Sequence, residues 1–210
     1  MTTGTNNVNI KAKLTQKQRS EVSRRKLMNA TIESLIELGY SQTSIQEVCK
    51  RAGLSKGGLF RQFPSRTELM VATCQQVYTD LLTSYKQQFE CLEDRSDPIR
   101  NGLTLIRKSF ANAKFQAAIE LQVAARTDKT LAEGIAPILE SNHKTVVELS
   151  KSLFPEVAKR NSQFDAVIDT VVLMFRGEVL GATLYNNVDD EDARMSFIEQ
   201  VVKRALLKDE

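Results

Sequence analysis

The sequence predicts an all-α protein, with a small N-terminal three-helix head and a longer helical body, and three observations point there. Apolar residues recur at three- and four-residue spacing along most of the chain, and no segment alternates as a strand would. Only four prolines and nine glycines occur in 210 residues, so long helices can run uninterrupted. Hydrophobic residues make up 41% and charged residues 26%, which supplies core enough for one large domain or a small and a medium one.

Residues 1–18 mix Thr, Asn, Gln and Lys without an apolar period and read as a flexible arm. Within it and at its end, Lys11, Lys13, Lys17 and Arg19 can seek phosphate. From about Arg19 a helix is expected, with Met28, Ile32, Leu35 and Ile36 on its inner face. Gly39 stops it, because glycine enters the left-handed conformation without a Cβ clash. Ser44 with Glu47 three residues on forms a capping box, Thr43 being the alternative cap. Ile45, Val48, Cys49 and Ala52 then make one face of a two-turn helix that Gly53 ends. Ser55 caps a third short helix, which Pro64 closes, and Ser65 caps a fourth.

The fourth helix carries Met70, Cys74, Val77, Leu81 and Tyr85 on one stripe and runs to about Leu92. Helices follow at roughly 98–112, 114–126 and 128–153, with a break at Leu153-Phe154-Pro155. The segment from Asp165 to Asn187 is apolar nearly all round, so it needs cover on most sides. The last helix, about 190–208, shows Ile198, Val201, Val202, Ala205 and Leu206 as its stripe. The expected organisation is therefore an arm at 1–18, a head at 19–66 and a body at 67–210.

Several function classes are excluded. No uncharged stretch approaches the ~18 apolar residues of a membrane-spanning helix, and Met1 to Ile10 lacks the regions of a secretory signal. Cys49, Cys74 and Cys91 form no CxxC pair, so reduced thiols in a cytoplasm are expected, with no metal and no cofactor. A single histidine, His143, and the absence of GxGxxG, Walker, HExxH and GxSxG motifs argue against an enzyme.

Charge is divided unevenly. Residues 1–66 hold twelve Lys/Arg and four Glu, a net +8, whereas the rest of the chain is net −5. A basic head on an acidic body suits a polyanion, although a merely solvated surface would look the same. Residues 44–63 add the helix-turn-helix pattern. An amphipathic first helix, a tight glycine turn and a short, outwardly polar second helix let the second enter a major groove. Generic helical hairpins share part of that pattern. The outward positions are Gln46, Lys50, Arg51, Lys56, Arg61 and Gln62.

Arg24-Arg25-Lys26 through Gly39-Tyr40, Thr43-Ser44-Ile45, Ala52-Gly53-Leu54-Ser55-Lys56-Gly57-Gly58-Leu59-Phe60 and Phe63-Pro64-Ser65-Arg66 together closely resemble the TetR family of bacterial regulators. The resemblance implies a homodimer that sets two helix-turn-helix heads in successive major grooves of a palindromic double-stranded operator. It further implies an acidic helical body that dimerises and binds a small-molecule effector, and most members repress. On this reading Lys56 and Gln46 reach base edges, with Gln62 behind them, while Arg24, Thr43, Ser44 and Arg66 clamp phosphates. Gly57 and Gly58 each cost about 1 kcal/mol in a helix relative to Ala, and Gly58 would let the backbone approach the duplex. Gly58 stands where the family usually has Thr or Ala. Phe60 stands where Tyr is common and can only pack or touch a thymine methyl.

The body is less specific. Phe110, Phe115 and Gln122 are expected cavity walls, and Arg126, His143 and Arg176 are the polar candidates for an effector of unknown class. Arg126 with Asp128 reads as an ion pair at a helix junction. Asp169 and Arg176, on an otherwise apolar helix, need partners, either across the core or, for Arg176, an anionic ligand. Gly177 and Gly181 form a GxxxG, which suits close approach of the same helix from a second subunit, or tight packing within one chain. The last two helices are the expected dimer interface, as in the family. Asp189-Asp190-Glu191-Asp192 answers the dipole of the last helix rather than a metal. The alternatives are an activator or a ligand-independent regulator of the same fold, or, in a different class, a helical protein–protein adaptor with a basic head.

Overall fold

The computed structural model describes residues 15–182 and 191–207, and within them the chain is all-helical. Lys11, Lys13, Asp189 and Asp190, and the ends proposed for the last two helices at 187 and 208, lie outside the described residues.

Helix α1 spans Gln16–Gln42 and starts earlier than the apolar pattern suggests. Thr15 and Gln18 make a reciprocal capping box that satisfies two orphan backbone donors, so a polar segment is helical from its first turn. Regular geometry ends at Gly39, whose φ of 74° belongs to the left-handed region. Helix α1 buries Leu27, Met28, Ile32 and Leu35, whereas Ile36 is 38% exposed, so the inner face is turned toward Leu27 relative to the expected stripe.

Helix α2 (Ile45–Ala52) is capped by Ser44, whose hydroxyl accepts from the Glu47 N–H, and it ends on left-handed Gly53. The capping box is only half formed, because the Glu47 carboxylate turns to Arg51 at 2.7 Å. Helix α3 (Lys56–Gln62) and helix α4 (Arg66–Glu90) start on Ser55 and Ser65 in the same manner. Leu27, Val48, Leu59, Phe63 and Leu69 make the small core of this head.

Helices α5 (Pro98–Phe110), α6 (Ala113–Ala125) and α7 (Lys129–Leu153) build the body around α4. The break expected at Pro155 is present, and a further short helix follows it, α8 (Pro155–Arg160), with proline in its first turn where no N–H is needed. Helices α9 (Phe164–Ala182) and α10 (Glu191–Leu207) complete the chain. A second core joins Ile32 and Leu35 of α1 to Met70, Cys74, Phe115, Leu121 and Leu131. A third gathers Ile99, Leu103, Phe164, Phe175, Val202 and Leu206. Helix α4 thus enters the head core through Leu69 and the body core through Met70 one residue later. Its contact with α7 is tight: a Cβ on Gly134 would stand 2.5 Å from Val71 Cγ2.

Helix α9 is not covered on all sides within the chain. Leu173 is 65% exposed and Leu180 46%, and on α10 Phe197 and Val201 are also exposed, which takes Val201 out of the expected inner stripe. Among the described residues, nothing beyond the adjoining residues and the backbone of its own helix stands within 4 Å of a Cβ placed on Gly177.

Candidate nucleic-acid interface and body cavity

The head presents a polar surface whose side chains fall into two groups. Gln46 and Lys50 on α2, and Lys56, Gly57, Phe60 and Arg61 on α3, are exposed. Among the described residues, Gln46, Lys50, Lys56 and Arg61 have no hydrogen-bond or ion-pair partner on their side chains. Ser44 is also exposed, with its hydroxyl spent on the cap. Phe60, 48% exposed, places an aromatic ring in the middle of this surface.

The second group faces inward. Arg24 donates to the Gln62 carbonyl at 3.0 Å and lies over the Phe63 ring. Gln62 accepts from the Ser20 hydroxyl. Thr43 is fully buried, donating to Gly39 O and accepting from Ser34. Arg66 donates to Thr43 O at 2.9 Å and to Tyr40 O, and stacks 4.1 Å from the Tyr40 ring. The phosphate-clamp reading of Arg24, Thr43 and Arg66 and the base-reading role of Gln62 therefore meet side chains already engaged in holding α1, α3 and α4 together. Arg51, placed outward by spacing, is bound to Glu37 and Glu47, each at 2.7 Å.

Gly57 and Gly58 are helical with ordinary negative φ, because only Gly39 and Gly53 among the described residues have positive φ. A Cβ at Gly57 would come no closer than 4.0 Å to Ser55 Oγ, and at Gly58 no closer than 3.4 Å. Packing within the chain does not require glycine at either position.

The body contains a cavity of about 70 Å³ between α4, α5, α6, α7 and α9. Phe110 and Phe115 form one wall, their rings edge to face with centroids 4.5 Å apart. Tyr78, Tyr85, Asn142 and Arg176 bring polar atoms to it. Arg176 Nη2 donates to Gln122 Oε1 at 2.7 Å and to Tyr78 Oη at 3.0 Å, and Gln122 Nε2 donates to the same Tyr78 oxygen at 2.7 Å. Burial pushes the Tyr78 and Tyr85 phenols up to about 12, so both remain protonated donors. Burial also raises the Cys74 thiol to about 12, with the nearby Arg176 charge opposing it, so this cysteine is no nucleophile.

Of the six expected ligand residues, Phe110, Phe115 and Arg176 line the cavity and Gln122 holds Arg176 in place. Arg126 is exposed at the end of α6, and Asp128 does not pair with it: Asp128 caps α7 through the Leu131 N–H and accepts from Tyr40. His143 is 58% exposed and faces Asp169 at 3.4 Å, so Asp169 and Arg176 each meet partners on other helices. One turn of helix points a side chain away from a cavity as easily as into it, and spacing alone did not separate these cases. Tyr40 was missed. Its N–H donates to Glu120 and its hydroxyl to Asp128, tying the end of α1 to α6 and α7, and neither partner is close enough in sequence to leave a local signal. Among the described residues no group of His, Cys, Asp and Glu is arranged to hold a metal, and no helix is long and apolar enough to cross a membrane.

The sequence model for bacterial regulatory proteins of the tetR family matches residues 27–73, which run from the head core into α4. An uncharacterized HTH-type transcriptional regulator of Mycobacterium bovis is 27% identical over 192 residues, covering 91% of this chain and 98% of its own. The HTH-type transcriptional regulator CymR of Pseudomonas putida is 30% identical over 135 residues, 64% of this chain and 66% of that protein. The solved structure of Salmonella enterica GusR superposes with a TM-score of 0.68 at 15% identity, over 93% of this chain and 99% of the other, a likeness of fold.

Proposed function

The chain belongs to the TetR family of bacterial regulatory proteins and is a DNA-binding transcriptional regulator, and on that footing we propose that it is a repressor released from a palindromic operator by a small-molecule effector. The observation that carries the reading is the pairing of two features on one helix. Helix α4 leaves the head core at Leu69 and reaches the body cavity at Tyr78 and Tyr85.

Exposed Lys50, Lys56 and Arg61 support attraction to phosphate, and exposed Gln46 and Lys56 suit base edges. The exposed apolar residues of α9 and α10, with the open Gly177 between them, support a homodimer through these two helices. At about 70 Å³ the empty cavity is smaller than the ~150 Å³ that encloses a benzene. An effector must then push its walls apart, and α4 is one of them. The dimer it favours has heads that no longer match the ~34–36 Å groove repeat.

Fluorescence-anisotropy titration of the DNA flanking the protein's own gene, against random duplex and across a salt series, tests this. The expected result is one site bound at least ~10³ tighter than random DNA. Equal, steeply salt-dependent binding to every duplex tried, including sites from a genome-wide selection, would leave only nonspecific attraction and overturn the operator reading.

A further inference from the structure

We propose that the effector is a small apolar monocarboxylate, its carboxylate held by Arg176 and Tyr78 and its body between Phe110 and Phe115, with a hydroxyl or N–H group favoured where it meets Asn142. This names the ligand class of the cavity invoked above and rests on that reading.

Arg176 carries the argument. It is partly buried on α9, and both of its hydrogen bonds come from Nη2 and go to neutral groups, Gln122 Oε1 and Tyr78 Oη. Among the described residues no carboxylate lies within ion-pairing distance of it, and Nη1 and Nε have no protein acceptor. A cation drawn out of water without a counter-charge is costly, and an anionic ligand removes that cost. Guanidinium and carboxylate match as a two-point fork, which favours a carboxylate over a spherical anion.

Tyr78 adds a second donor at the same place. Its oxygen already accepts from Arg176 and from Gln122, while its own proton has no acceptor among the described residues. A carboxylate oxygen beside Arg176 supplies one.

Asn142 is the independent observation. Asn142 lines the same cavity, and its Oδ1 is shut off from solvent and has no hydrogen-bond partner among the described residues. A buried amide oxygen left unpaired calls for a donor from whatever fills the space. The remaining walls are mostly aromatic and aliphatic, and the hydroxyls of Ser109 and Ser150 are given to the carbonyls of Leu105 and Val146, so the body of the ligand is apolar. A cationic ligand is disfavoured by Arg176 itself, and a sugar would leave most of its hydroxyls against hydrocarbon.

The test is calorimetric titration of the full-length protein with benzoate, 4-hydroxybenzoate and octanoate, each against its neutral amide. At least one acid should bind about tenfold or more tightly than its amide, the worth of one charge-assisted contact. Arg176→Met should erase that preference, with Arg176→Gln serving if the first variant fails to fold as judged by its melting curve. Asn142→Ala should remove any advantage of 4-hydroxybenzoate over benzoate. Amides that bind as well as acids, acid binding that survives both Arg176 variants, or no acid bound at low millimolar concentration would each overturn the assignment. Operator anisotropy on the same samples separates the two readings. An acid that binds but leaves the operator complex intact sinks effector release and not the ligand class, whereas loss of acid binding with operator recognition intact does the reverse.

Discussion

The Tyr40 hydroxyl donates a 2.6 Å hydrogen bond to Asp128 Oδ2, linking the end of α1 to the first turn of α7 across 88 residues of sequence. The same tyrosine gives its N–H to Glu120 of α6 and lies under the Arg66 guanidinium at the start of α4. Four helices therefore meet at this one residue.

The joint predicts a pH signature. The Tyr40 hydroxyl, with the Leu131 N–H behind it, holds the Asp128 carboxyl below its ordinary 3.8. A depressed carboxylate contributes stability above its unfolded pKa and loses it as pH falls through the lower folded value. Tyr40→Phe should therefore lower the melting temperature near neutrality and narrow its gap to wild type as pH is taken down past 3.8. A gap that stays constant over that range would show that the hydrogen bond does not set the acid limb.

Glycine in α3 should trade stability against binding. Nothing inside the chain crowds a Cβ at Gly57, so Gly57→Ala should stabilise the head by about 1 kcal/mol through helix propensity. Operator affinity should nevertheless fall, because the added methyl stands on the exposed face proposed to meet the duplex. Chemical denaturation and anisotropy, measured together, should move in opposite directions. A variant that gains in both would mean that close approach of the backbone plays no part.

Lys56 and Arg66 should behave differently from each other. Lys56 is exposed and without a partner, so Lys56→Ala should leave melting unchanged and weaken operator binding more than random-duplex binding. Arg66 braces Thr43 and Tyr40, so Arg66→Ala should lower the melting temperature and weaken both kinds of DNA binding together. If Lys56→Ala reduces both equally, its contact is to phosphate rather than to a base.

Gly177 offers a test of the apolar face. Its surroundings within the chain are open, so Gly177→Leu should keep the monomer fold and its helicity. Light scattering should report a shift from dimer to monomer as the new side chain holds the two copies of α9 apart. An unchanged mass would remove Gly177 from the interface.

Much of the fold was legible from the sequence because its determinants are local. Ser44, Ser55 and Ser65 each cap the helix that follows through an N–H three residues on, and Gly53 ends α2 with the positive φ that only glycine takes without strain. The stripe from Met70 to Tyr85 and the turn at Gly53 appear within a window of a few turns, and so does the exposed position of Lys56. Phe110, Phe115 and Arg176 were found as cavity residues for a related reason: large rings and a charge stand out on helices otherwise occupied in packing.

The sequence by itself determined most of the helix caps and stops, and which family motif the head carries. The tertiary structure alone decided which polar side chains remain available. Arg24 is spent on Gln62, Arg66 on Thr43 and Tyr40, and Asp128 on Tyr40, whereas Arg176 comes to rest beside Tyr78 and Gln122 with no counter-charge among the described residues. Helical period is written into neighbours three and four residues apart, but a side chain's hydrogen-bond partner is set by which helix packs against it, and that helix arrives from dozens of residues away.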